Sequence, residues 1–284
     1  MDIGVGTYAL FWEWNERNPA PLPIEGMLER AATLGCEVFQ ICDDPRIDAY
    51  DDAALSDLRQ QAHDLGLRLE LGTRGIAPEH LERYLDIATR LDAPVLRSMI
   101  QRPEMADGVE GAVRTLRRTV ARLESDGVDL ALETYEQVST SDLLDVVERL
   151  QSPRVGICLD PANCVSALEH PDTVVDDAAT HALSLHVKDF RFDRQDGWVG
   201  FTLSGARIGE GLLDLQRELD AVYTGGRAPA AIVEHWLPWQ GDLELTLAIE
   251  REWTQATLRA LRHYRDNHPQ TTGTSASSHQ GEAP

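Results

Sequence analysis

Lysine is all but missing from this chain. Lys188 is the one lysine in 284 residues, so the 26 basic residues include 25 arginines (26 − 1). Against 48 Asp and Glu, the formal net charge is −22 at pH 7. Such a balance repels nucleic-acid phosphates and anionic lipid, so neither is expected as a partner. Cysteine is scarce too: Cys36, Cys42, Cys158 and Cys164 form no C-x-x-C pair. That spacing offers no disulfide framework and leads us to expect reduced thiols in a cytoplasmic protein. No apolar run approaches the ~20 residues of a membrane span. The opening MDIGVGTYAL lacks the basic region and long apolar region of a signal peptide.

What the chain does have is a repeated alternation. Short β-type runs at 3–8, 37–41, 67–71, 94–99, 128–133, 155–159, 182–188 and 229–234 alternate with helical patterns. Gly35, Gly66 and Gly127 follow three of the predicted helices as stop signals. Eight alternations with short connections imply a parallel sheet, and eight closes a (β/α)8 TIM barrel in a single domain. A doubly wound open sheet normally carries a Gly-rich phosphate turn after its first strand. Here Ala9-Leu10-Phe11-Trp12-Glu13-Trp14 stands in that place. We therefore expect a barrel over residues 1–266, with a long insertion at 190–209. The Ser/Thr/Gly-rich stretch 267–284 has no apolar period and reads as a disordered tail.

In such a barrel the strand C-termini converge on one mouth. The stretch RVGICLDPAN is a buried strand that ends on Asp160 and is stopped by Pro161. Glu133, His186 and Glu234 stand at the ends of the fifth, seventh and eighth predicted strands. For any one of these residues, a structural ion pair is as good an explanation as a site. Four at successive strand ends, with no basic cluster of matching size nearby, favour a cation between them, because the acids would otherwise raise one another's pKa. Three carboxylates and one imidazole suit one divalent metal ion, Mn²⁺ or Mg²⁺ first, with Co²⁺, Fe²⁺ or Zn²⁺ as further options. The second to fourth strands offer Gln40, Glu70 and Arg97 instead. These are not the additional histidines that a multi-metal phosphodiesterase of this fold needs.

The pieces ALETYE, GICLDPAN, LHVKD, GARIGEGLLDL and IVEHW resemble, in order and spacing, the xylose-isomerase-like TIM-barrel superfamily. The sugar (phosphate) isomerase/epimerase group is the nearest part of it. The resemblance covers most of residues 1–265 and is strongest in the C-terminal half. It implies a metal bound by Glu133, Asp160, His186 and Glu234, with Glu133 and Glu234 as the catalytic pair that exchanges a proton on a small carbohydrate substrate. A metal-dependent isomerase or epimerase working through an enediolate is then the first expectation. The alternative is a lyase or decarboxylase on a keto sugar acid or keto-glycoside, because loss of a carboxyl group yields the same enolate. Many relatives have His three residues after the sixth-strand aspartate. Asn163 stands there, and an amide cannot shuttle a proton. With the insertion WVGFTLSGARIGEG and EHWLPW, this resembles members acting on oxidised sugars.

Further substrate contacts are expected from Lys188, Arg207, Glu210 and Trp12. Lys188 lies two residues beyond His186, on the same strand face. It binds a substrate oxygen or tunes a carboxylate, or else pairs with Asp189 or Glu210 at the rim. Arg207 either clamps a substrate carboxylate or phosphate or orders its loop by an ion pair. Glu210 orients its neighbours. Trp12 and the other aromatics after the first, seventh and eighth strands can pack on sugar C–H faces, or can stiffen a rim or a homo-oligomer interface. His63 and His80 read as surface residues, and His235 as structural.

Overall fold

The fold follows from apolar strands that must be covered on both faces. The structure, a computed structural model, describes residues 1–224 and 228–268. Eight parallel strands close a barrel: β1 (Ile3–Gly6), β2 (Val38–Cys42), β3 (Arg68–Gly72), β4 (Val95–Ser98), β5 (Asp129–Glu133), β6 (Val155–Leu159), β7 (Ala182–Val187) and β10 (Ala231–Val233). β1 closes the ring by pairing with β2 on one side and β10 on the other. Every expected strand is present, within two residues at each end.

Helices separate the strands. Side chains cap their starts: Ser139 Oγ caps the helix Thr140–Leu150 by accepting from Asp142 N–H, and Asp242 caps Leu243–Asn267 by accepting from Leu245 N–H. Gly35, Gly66 and Gly127 take positive φ just past helix ends, a conformation that costs glycine little. The last helix runs through Asn267, and His268 N–H donates to Tyr264 O. These two residues thus stay with the barrel. The rest of the expected tail lies outside the described residues.

The insertion has its own structure. β8 (Asp189–Arg194) and β9 (Phe201–Ala206) form an antiparallel hairpin directly after β7. The available signal for this hairpin was Asp196-Gly197 after the alternating Phe190-Arg191-Phe192-Asp193. At its far end Trp198 and Phe201 are exposed, with the Arg194 guanidinium against both rings.

Two cores of different character result. Between barrel and helices lies a large apolar layer that includes Met27, Leu28, Leu71, Leu85, Leu116, Val146 and Leu261, all buried. Each such side chain contributes ~1.5–3 kcal/mol by leaving water. The strands also bury a polar set: Gln40, Glu70, Arg97, Ser184 and His186. Buried polar groups cost free energy unless partnered, so this set has to be read as a network.

Candidate metal centre

Glu133 is the last residue of β5, Asp160 follows β6, His186 is the penultimate residue of β7 and Glu234 follows β10. All four side chains are buried. His186 Nδ1 stands 3.4 Å from Glu234 Oε2, 3.5 Å from Asp160 Oδ2 and 3.8 Å from Glu133 Oε1. The structure thus brings the four expected ligands together at the barrel mouth. Ligand atoms of Asp160, His186 and Glu234 lie within 4.8 Å of one another. Thr134 fixes the relative height of two of the strand ends: its Oγ1 donates to Asp160 O and accepts from Asp160 N–H.

Two basic groups reach these acids, fewer than the carboxylates they face. Lys188 Nζ lies 2.6 Å from Asp160 Oδ2, 3.3 Å from Glu234 Oε2 and 4.6 Å from the Trp236 ring centroid. It faces the cluster and not the rim acids Asp189 or Glu210. Arg97, fully buried on β4, donates from Nε to Glu133 Oε2 and from Nη1 to Asp43 Oδ1 and Thr73 O, both at 3.0 Å. Two cations therefore stand against the three carboxylates. A charged residue in the apolar run Pro94-Val95-Leu96-Arg97 was the available signal for Arg97; its partners, 36 and 54 residues away, were not readable.

The electrostatics follow from burial set against these partners. Burial pushes the Glu133 carboxyl above its usual range, and Arg97 and His186 oppose that. Burial also disfavours the charged form of Asp160, yet Lys188 and His186 outweigh it and hold this carboxyl below the ordinary value. Asp160 and Glu234 hold the Lys188 ammonium firmly protonated despite burial.

The residues fit a divalent cation. Asp160 Oδ1, His186 Nδ1 and Glu234 Oε1 are buried without a hydrogen-bond partner. Buried polar atoms left unpaired are costly, and these belong to the proposed ligands. Three carboxylates with one imidazole make an oxygen-rich set suited to hard divalent ions. Gly6 leaves room beside it, since a Cβ there would sit 3.3 Å from Glu234 Oε1.

The remaining expected contacts divide. Asn163, in the short turn Pro161–Cys164, donates from Nδ2 to Glu133 Oε1 at 2.6 Å. Trp12 is buried and donates from Nε1 to Leu237 O. With Tyr8, Phe11, His235, Trp236 and Glu250 it lines a cavity of about 270 Å³, and the Trp236 ring of that cavity also covers Lys188. Arg207 is not brought to the cluster: its Nε pairs with Glu252 at 2.8 Å and its Nη1 with Glu210 at 3.1 Å. Those two bonds occupy the fork that a substrate carboxylate would need. His235 is buried with Nε2 3.2 Å from Thr254 Oγ1. His80 is half-buried rather than on the surface, its Nε2 2.7 Å from Thr73 Oγ1.

The model of the family described as "Xylose isomerase-like TIM barrel" matches residues 28–264. The chain belongs to this family. A relative in Pectobacterium atrosepticum, a 3-oxo-isoapionate decarboxylase, is 47% identical over 261 residues, covering 92% of this chain and 95% of that one. Among solved structures, D-psicose 3-epimerase from Clostridium cellulolyticum with D-tagatose has a TM-score of 0.70 at 16% identity, over 93% of this chain and 99% of that one. A xylose isomerase-like TIM barrel protein from Mycobacterium smegmatis in complex with magnesium has a TM-score of 0.64 at 16% identity, over 92% and 97%. At such identity the two structures speak to the fold alone. The decarboxylase is similar along nearly the whole of both chains, and the lyase alternative matches this relative better than the isomerase expectation does. Among the described residues no helix is long and apolar enough to cross a membrane.

Proposed function

We propose that this protein is a divalent-metal-dependent decarboxylase of a 3-oxo sugar acid. The observation that carries the reading is the 47% identity to a 3-oxo-isoapionate decarboxylase along almost the full length of both chains. A 3-oxo acid has its ketone two bonds from the carboxylate carbon. When the C–CO₂ bond breaks, its electron pair moves toward the ketone, and the carbon left behind must gain a proton. A divalent ion, Mn²⁺ or Mg²⁺ first, held by Glu133, Asp160, His186 and Glu234, would supply a Lewis acid for the ketone oxygen.

The two glutamates have unequal surroundings, and that supports decarboxylation over proton exchange. Arg97 donates to one oxygen of Glu133 and Asn163 to the other. Those two donors fix the orientation of Glu133. Glu234 Oε1 has no such partner. Proton exchange on two faces needs two competent glutamates, whereas decarboxylation needs a single proton delivery. In this reading Glu234 delivers that proton, and Lys188 Nζ, 3.3 Å from its Oε2, holds the carboxylate in place. Asn163 and Arg97 keep Glu133 in place. The aromatic walls of Tyr8, Trp12 and Trp236 pack against the carbon skeleton and keep water from the reacting carbon.

The test is turnover of 3-oxo-isoapionate by purified protein with Mn²⁺ or Mg²⁺ in D₂O, followed by NMR. Release of CO₂ with one deuterium on the carbon that lost it is the expected result. Deuterium exchange into ketoses without loss of carbon would return the assignment to the isomerases.

A further inference from the structure

The four proposed ligands do not explain why Gln40 is buried inside the barrel. Its Oε1 lies 2.8 Å from His186 Nε2. Its Nε2 donates to Glu70 Oε2 at 3.1 Å and to Ser184 Oγ at 3.3 Å. Glu70 in turn faces Arg68, whose Nη2 lies 3.5 Å from Glu70 Oε1, and Arg68 reaches Asp2 near the opposite end of the barrel. Gln40, Glu70, Ser184 and His186 are all essentially inaccessible to water. A hydrogen-bonded line therefore runs through the barrel interior, from the acid cluster toward the other mouth.

The direction of each bond in this line is fixed by chemistry. Glu70 pairs with Arg68, and a carboxylate in such an ion pair only accepts, so it takes the –NH₂ end of the Gln40 amide. That turns the amide oxygen toward His186 Nε2, and an amide oxygen only accepts. His186 Nε2 must then carry a proton. In a neutral imidazole the other nitrogen is the one with the lone pair. It is Nδ1, which faces Asp160, Glu133 and Glu234 and has no hydrogen-bond partner. Reversing the amide would set its oxygen against the Glu70 carboxylate.

We propose that Gln40 is a positioning residue that presents His186 Nδ1 to a divalent cation, and that Glu70 sets the sense of the Gln40 amide. A metal-binding imidazole is commonly held by an acceptor on its second nitrogen, and losing that acceptor costs 10–100-fold in metal affinity, an order-of-magnitude range. A carboxylate in Gln40's place would add a fourth acid close to the ligands. A neutral amide transmits the orienting effect of Glu70 without its charge. The inference rests on a cation at the cluster and not on which reaction follows.

The experiment measures Mn²⁺ affinity by competition with a chelating dye, together with the melting temperature of metal-free protein. Gln40→Met keeps length and removes the acceptor. It is expected to weaken Mn²⁺ binding by about 10–100-fold, with the metal-free melting temperature shifted far less than a cavity or misfold would shift it. Glu70→Gln keeps the volume and allows either amide orientation, and is expected to lie between Gln40→Met and wild type. In ¹⁵N-histidine-labelled, Zn²⁺-loaded wild-type protein, His186 should be bound through Nδ1 and carry its proton on Nε2. Wild-type Mn²⁺ affinity in both variants, or wild-type His186 bound through Nε2, would overturn the assignment. Should Gln40→Met not fold, Glu70→Gln decides by its Mn²⁺ affinity. Wild-type protein that takes up no Mn²⁺ would overturn the cation site as well, a failure visible in the control and separate from any failure to decarboxylate.

Discussion

The strands that end in proposed ligands and the strands opposite them hold different side chains at the same barrel. β5, β6, β7 and β10 carry Glu133, Asp160, His186 and Glu234 at or just past their ends. β2, β3 and β4 carry Gln40, Glu70 and Arg97. The first set is acidic and leaves atoms without partners; the second set is engaged with the first, Gln40 on His186 and Arg97 on Glu133. In the proposed reading, one half of the ring receives a cation and the other half restrains the receivers. Affinity and reaction can thus be altered from β2 to β4 without touching a proposed ligand.

Four changes would break or sharpen that contrast. The largest effect is expected from the receiving half: His186→Ala or Asp160→Ala should abolish divalent-metal binding and turnover. Each removes a donor and leaves the other carboxylates to repel one another. Calorimetric titration with Mn²⁺ measures it, and full activity in either variant would remove the site assignment.

The two glutamates should then separate. Glu234→Gln is expected to lose kcat by ~10²–10⁴, the scale of a general acid–base group. Glu133→Gln, whose carboxylate is already engaged by Arg97 and Asn163, should retain clearly more turnover once saturated with metal. Equal losses at full metal occupancy would mean that the half-ring contrast does not reach the chemistry.

A third change lies outside both halves. Glu250, on the last helix, is buried in the aromatic cavity wall; its Oε1 accepts from Trp12 N–H and its Oε2 has no partner. Burial raises its pKa from 4.5 to about 8. The folded protein therefore holds this proton where the unfolded chain releases it. Stability falls as pH rises from roughly 4.5 to 8 and levels off above that, by on the order of a few kcal/mol. Glu250→Gln should flatten that part of the profile in urea unfolding at pH 5, 6.5 and 8. A variant profile parallel to wild type would assign the dependence to other acids.

The smallest effect belongs to the rim. Arg207→Ala should change KM for an anionic substrate by less than about twofold and move Tm by about two degrees or less, since its pairs with Glu210 and Glu252 are exposed. A tenfold rise in KM would show that the guanidinium leaves these partners for the substrate.

The receiving half was the legible half. A carboxylate or imidazole at the end of an apolar strand is conspicuous, and strand ends converge by topology alone, so Glu133, Asp160, His186 and Glu234 could be placed before any coordinates. The restraining half was less legible for a physical reason. Gln40, Glu70 and Arg97 were visible as strand residues, but their meaning depends on contacts across the barrel, such as the 146 positions between Gln40 and His186. Lys188 fell between the two cases: its strand face was readable, but not its choice of Asp160 over the rim acids. Glu250 gave no sign, because a glutamate in a long amphipathic helix ordinarily faces water, and only the packing of Trp12 onto that helix buries it. The hairpin was seen as an insertion and no more.

The single lysine has a practical consequence. Lys188 is the only side-chain amine in the molecule, and it is 4% exposed beneath Trp236. Reagents that acylate lysine therefore find no accessible side-chain target on the folded protein and gain one when the barrel opens. The extent of Lys188 acylation after a timed pulse, read as a mass increment on one tryptic peptide, counts opening events at the barrel mouth without any engineered label.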